Sequence, residues 1–134
     1  MHSGRGMPRC LIVDDHTDGR DGYQEYLETN GLAVDATATA EDALRLAKRH
    51  VFDLLIVDLQ LPGMNGWDYI KTVRRDPQLE DVPIIAVSAC VFPEDRARAE
   101  AAGCDLFLAK PCSPDELLVE VRRLLAAERT TASQ

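Results

Sequence analysis

Leu54-Leu55-Ile56-Val57, closed by Asp58 and followed by Leu59-Gln60-Leu61-Pro62-Gly63-Met64-Asn65-Gly66, is the stretch whose reading decides the fold. A short apolar run without polar alternation suits a strand covered on both faces, as in a parallel sheet. Similar runs recur at Cys10-Leu11-Ile12-Val13, Ile84-Ile85-Ala86-Val87 and Leu106-Phe107-Leu108. Leu32 to Ala36 is partly polar and reads as an edge strand.

Helical patterns fill the intervals. Tyr23, Tyr26 and Leu27 mark a first helix, stopped by Asn30-Gly31. Thr39 and Asp42 resemble a capping box ahead of Ala43, Leu44, Leu46 and Ala47. Trp67, Ile70, Lys71 and Val73 carry a third helix, ending before Asp76-Pro77. Pro93 to Ala102 is a fourth, closed by Gly103. Ser113-Pro114-Asp115-Glu116 opens the fifth with an N-cap serine, an N1 proline and a glutamate three residues past the cap. Strands alternating with helices imply right-handed βαβ units, hence a doubly wound α/β domain over residues 9–127. Residues 1–8 read as a flexible leader, in which Met7 could equally be the start, and 128–134 as a polar tail.

The 134 residues suffice for one domain with its own core. Phosphate neutralisation needs a Lys/Arg face, and a net charge of -8, with 23 acids to 15 bases, argues against direct nucleic-acid binding. Cys10, Cys90, Cys104 and Cys112 form no CxxC pair and no zinc spacing, so reduced thiols are expected. No apolar stretch reaches the roughly 18 residues of a membrane span, and a cytoplasmic location is expected.

Ligands of such folds bind outside the carboxyl ends of the strands. The first strand ends in Asp14-Asp15, the third in Asp58 and the fourth in Ser88, while Lys110-Pro111 follows the fifth. Two carboxylates about 4 Å apart repel by roughly 4 kcal/mol at an effective dielectric of 20, which a proton or a cation must relieve. Oxygen donors completed by water suit Mg2+ or Mn2+. A lone acidic residue at a strand end is usually a cap or a solvated loop group. Here every strand except the edge one supplies a polar group to the same place.

Leu11-Ile12-Val13-Asp14-Asp15, Asp58 to Gly66, Ser88-Ala89 and Lys110-Pro111, in this order, make residues 9–127 resemble the receiver domain of two-component response regulators. The resemblance implies a flavodoxin-like sheet of order 2-1-3-4-5 with five helices. It implies Asp58 as phosphoacceptor from a histidine kinase or phosphotransfer protein. Asp14, Asp15, Asp58 and the Gln60 carbonyl would hold the metal, Lys110 and Ser88 would contact phosphoryl oxygens, and Pro111 would shape the Lys110 loop. Gln60 and Cys90 stand at positions that tune dephosphorylation in the family. Ser88 and Phe107 would couple phosphorylation to the face formed by the fourth helix, fifth strand and fifth helix, which meets a downstream partner. In the fourth helix alanines are the only apolar residues, which fits weak anchoring and equally fits a plain surface helix. His16 could touch the metal, although such a residue is more often an exposed loop group. Cys112 fits a packing role, and Phe107 lacks the hydroxyl that many relatives carry as tyrosine.

Three other readings compete. An aspartate-nucleophile phosphatase would carry a second aspartate where Gln60 stands. A constitutive interaction module would lack one of the acidic or lysine residues, and none is missing. A fragment of a hybrid kinase or of a larger regulator stays compatible with the sequence.

Overall fold

The computed structural model describes residues 6–89 and 91–132. Its elements alternate as β1 (Arg9–Val13), α1 (Thr17–Thr29), β2 (Ala33–Thr37), α2 (Ala40–Ala47), β3 (Leu54–Asp58), α3 (Gly66–Arg75), β4 (Ile84–Ser88), α4 (Pro93–Ala102), β5 (Leu106–Ala109) and α5 (Pro114–Ala132). The strands form one parallel sheet of order β2-β1-β3-β4-β5. This is the doubly wound arrangement expected from the sequence.

Alternation along each strand divides the core in two. Leu11, Val13, Leu55, Val57, Ile84 and Ala86 face α2, α3 and α4, where Ala40, Trp67, Ile70, Val73 and Ala99 meet them. Cys10, Ile12, Leu54, Ile56, Ile85 and Val87 face α1 and α5, where Tyr23, Leu27, Leu117 and Val121 lie. Complete burial of each such Leu, Ile or Val stabilises the fold by roughly 1.5–3 kcal/mol before entropy is counted.

Local signals set the helix ends. The Thr39 hydroxyl accepts from the Asp42 amide at 3.1 Å, and Asn65 Oδ1 accepts from the Asp68 amide at 2.9 Å. At α5, the Ser113 amide donates to Glu116 Oε1 at 3.0 Å while Ser113 Oγ accepts from the Glu116 amide at 3.4 Å, a complete capping box.

One boundary and one burial pattern depart from the sequence reading. The helix α5 runs to Ala132, past the tail boundary placed at 128, because Ala126, Ala127, Glu128 and Arg129 are good helix formers that continue it. The strand β5 lies at the sheet's second edge, as the order 2-1-3-4-5 implies, but it is less buried than its apolar run suggests. Only Phe107 in it is buried, and Ala109 is exposed. The expected leader lies largely outside the described residues.

Candidate functional site: a carboxylate cluster at the sheet's carboxyl edge

The chain order reverses between β1 and β3, so the carboxyl ends of these strands open a crevice at the switch point. Asp14 directly follows β1 and Asp58 closes β3, with relative exposures of 4% and 3%. Lys110 follows β5 and reaches across: its Nζ donates to Asp58 Oδ2 at 3.1 Å and to Asp14 Oδ2 at 3.3 Å. Asp15, more exposed, completes the acidic group.

Backbone groups aim these carboxylates. The Gln60 amide donates to Asp58 Oδ1 at 3.0 Å, and the His16 amide donates to Asp14 Oδ1 at 2.9 Å. Burial holds the Asp58 carboxyl above the ordinary aspartate range, against the lowering pull of the Gln60 amide and of Lys110, with Asp14 adding to the rise. Burial works against the Lys110 charge, but the hydrogen bond and attraction from Asp58 outweigh it and keep the ammonium protonated. One lysine faces three carboxyl groups here, so acidic groups outnumber it.

The donor set fits a hard divalent ion. Asp14, Asp15, His16 and Asp58 each offer one ligand atom, all within 4.8 Å of one another. Carboxylate oxygens predominate, as Mg2+ and Mn2+ require.

Ser88 is fully buried at the end of β4, and its carbonyl accepts from the Lys110 amide at 2.9 Å. Phe107 pairs in register with Ala86, two residues before Ser88, and lies in the core facing α4. The Arg96 guanidinium stacks over the Phe107 ring at 4.8 Å and that of Arg98 over Trp67 at 4.3 Å. Trp67 Nε1 also donates to the Asp95 carbonyl at 3.2 Å. Thus α4 is anchored by arginine–aromatic stacking as well as by alanines. The Lys110-Pro111 peptide is cis. Cys90 lies outside the described residues.

Sequence reasoning missed several supports. Glu41 of α2 accepts from the Met64 amide at 3.1 Å, and a Cβ on Gly63, whose φ is 70°, would meet Glu41 Oε2 at 2.9 Å. Arg20 donates to the Asp14 carbonyl at 2.8 Å. Tyr23 reaches the Cys112 carbonyl. None has a local sequence signal; the Glu41 and Tyr23 contacts join segments that only the fold brings together, and Arg20 is of a residue type common on any surface. Asp14, Tyr23, Ala89, Lys110 and Cys112 line a cleft of about 440 Å³ beside the carboxylates.

The response regulator receiver domain profile matches residues 10–122. The chain belongs to that family. Receiver domains are signalling domains with an acidic pocket, and this chain carries that pocket. Response regulator Rre1 of Synechocystis is 34% identical over 91% of this chain and 53% of its own length. Response regulator SaeR of Staphylococcus aureus is 34% identical over 89% of the chain and 51% of its own length. The chain thus spans about half the length of these curated relatives. Among solved structures, chemotaxis response regulator CheY4 of Vibrio cholerae superposes with a TM-score of 0.83 at 32% identity, covering 87% of this chain and 98% of CheY4. Among the described residues, no helix is long and apolar enough to cross a membrane.

Proposed function

We propose that this receiver domain is a phosphorylation-activated switch in which Asp58 accepts a phosphoryl group from a histidine kinase or phosphotransfer protein. The observation that carries this reading is the Lys110 ammonium set between two buried carboxylates, 3.1 Å from that of Asp58. An Asp58 oxygen attacks phosphorus, the P–N bond to the donor imidazole breaks, and the donor nitrogen takes the electron pair and a proton. Transfer of this kind passes through a loose transition state, so positioning and charge neutralisation supply most of the rate.

Mg2+ or Mn2+ bound by Asp14, Asp15, Asp58 and the Gln60 carbonyl would neutralise charge that develops on the phosphoryl oxygens. Lys110 holds a further oxygen, and Ser88 donates to another from the end of β4. Pro111 shapes the loop that carries Lys110. Gln60 and Cys90, each two residues beyond a site residue, tune loss of the phosphoryl group.

Output runs through Ser88 and Phe107, which share the sheet face under α4. Movement of Ser88 toward the phosphoryl group opens space that the Phe107 ring fills, and the α4-β5-α5 face changes for a downstream protein. Hydrogen exchange on phosphorylation then changes more from Ser88 to Phe107 than in α2; equal changes would refute this coupling. The primary test is intact mass after acetyl phosphate or phosphoramidate, with and without Mg2+. One phosphate is expected only with the ion, and none on Asp58→Ala. A protein indifferent to Mg2+ and to every phosphodonor would overturn the reading.

A further inference from the structure

His16 is more than an exposed loop residue. As the residue before α1 it occupies the N-cap position, where Ser, Thr, Asp or Asn normally satisfies the helix amides. Its side chain makes no capping hydrogen bond. The imidazole turns instead into the carboxylate cluster: Nδ1 lies 3.1 Å from Asp14 Oδ1, 3.4 Å from Asp15 Oδ1 and 3.4 Å from Asp58 Oδ2. One nitrogen therefore stands beside an oxygen of every acid in the cluster. The bond from its own amide to Asp14 Oδ1, at 2.9 Å, fixes the backbone that presents the ring.

These separations approach those of neighbouring ligands on a shared ion. Adjacent donors in an octahedron with bonds near 2.1 Å lie about 3.0 Å apart. Contraction by a few tenths of an ångström brings Nδ1 to that spacing from each of the three oxygens. The side chain is 64% exposed and is free to make this adjustment without repacking a core.

We propose that His16 Nδ1 is a direct ligand of the divalent cation in this site, and that it biases the site from Mg2+ toward ions that bind nitrogen more strongly, such as Co2+. The inference rests on the metal site proposed above and adds to it a donor and a selectivity. An imidazole favours first-row transition ions, whereas carboxylate, carbonyl and water favour Mg2+. Replacing one oxygen donor by nitrogen raises the affinity for Co2+ far more than for Mg2+.

The rival account is that the ring only fills the cation's place and leaves when the ion arrives. Calorimetric titration of the full chain with Mg2+ and with Co2+ separates the two, using wild type and His16→Ala. The expected result is a fall in the Co2+-to-Mg2+ affinity ratio of about tenfold or more, the size seen even when an outer partner of a metal ligand is removed. Pulsed electron paramagnetic resonance of the Mn2+-loaded protein should show nitrogen hyperfine coupling that His16→Ala abolishes. An unchanged ratio, affinities for both ions rising together, or no nitrogen coupling in wild type would overturn the proposal. Failure of wild type to bind either ion would overturn the metal site as well, whereas Mg2+ binding with an unaltered ratio would overturn only the role of His16. A thermal midpoint for His16→Ala within about 4 °C of wild type shows that the fold is intact.

Discussion

The hydroxyl of Tyr23 donates to the backbone carbonyl of Cys112 at 2.7 Å and so ties α1 to the loop that carries Lys110. Tyr23 is almost fully buried, and its ring packs with Leu27 and Leu117 in the core under α1 and α5. Tyr23→Phe keeps that packing and removes the tie. The expected cost is about 1 kcal/mol, or roughly 4 °C in thermal midpoint. Labelling by acetyl phosphate should slow, by less than the roughly hundredfold that a full ångström of misplacement costs. Unaltered melting and labelling would show that the loop holds its shape without α1.

Arg74 performs a similar task at the other end of the sheet. Its guanidinium donates to the carbonyls of Glu80 at 3.0 Å, Val82 at 2.7 Å and Gly103 at 2.9 Å, and to Asp105 Oδ2 at 3.0 Å. These contacts join the end of α3, the approach to β4 and the turn between α4 and β5. Arg74→Ala should destabilise the domain by about 2 kcal/mol, as loss of hydrogen bonds from a charged group does. Arg74→Lys should recover little of this, because one ammonium cannot reproduce the planar fork. Chemical denaturation of the three proteins measures both effects.

Cys10 provides a test of burial by reactivity. It has no exposed surface, and burial pushes its thiol up to about 12, with Asp53 adding to the rise. Thiolate, not thiol, is the reacting form, so a folded protein at neutral pH should leave Cys10 unlabelled by iodoacetamide. Urea should make it react at the rate of a free cysteine. Peptide mass mapping reads this residue apart from the other thiols, and rapid native labelling of Cys10 would contradict the packing of β1.

The share of this architecture that the sequence discloses follows from how local its causes are. Four apolar runs, the Ser113–Glu116 capping box and the glycines after α1 and α4 each act within a few residues, and each appears where expected. Asp14, Asp58 and Lys110 could be placed together because strand ends of a parallel sheet share an edge. The edge place of β5 came only with the order that the resemblance implies, since an apolar run looks alike at an edge and in the middle of a sheet. The bonds from Tyr23, Glu41 and Arg74 could not be read, since they span distant segments and use residue types common on any surface. The orientation of His16 was likewise undecidable, because its N-cap position permits a ring that faces either solvent or the acids.

Gly66 connects the fold most directly to Asp58. It opens α3, and its amide donates to the Leu59 carbonyl at 2.9 Å. A Cβ there would stand 2.5 Å from the Asp58 carbonyl oxygen and 2.5 Å from Leu59 Cα, both backbone atoms that cannot swing aside. Gly66→Ala must therefore push α3 away from the end of β3, disturbing the residue proposed to take the phosphoryl group. Overpacking of this kind costs about 1–3 kcal/mol, and labelling of Asp58 should fall more steeply than stability. Gly22 is the matched control: it lies in α1, and a Cβ added to it would meet nothing within 4 Å. Gly22→Ala should stabilise the protein by about 0.5–1 kcal/mol through helix propensity. Opposite signs for two glycine-to-alanine changes, read from melting curves alone, would separate close packing at the site from backbone entropy; a stable, fully labelled Gly66→Ala would show that α3 does not press on β3.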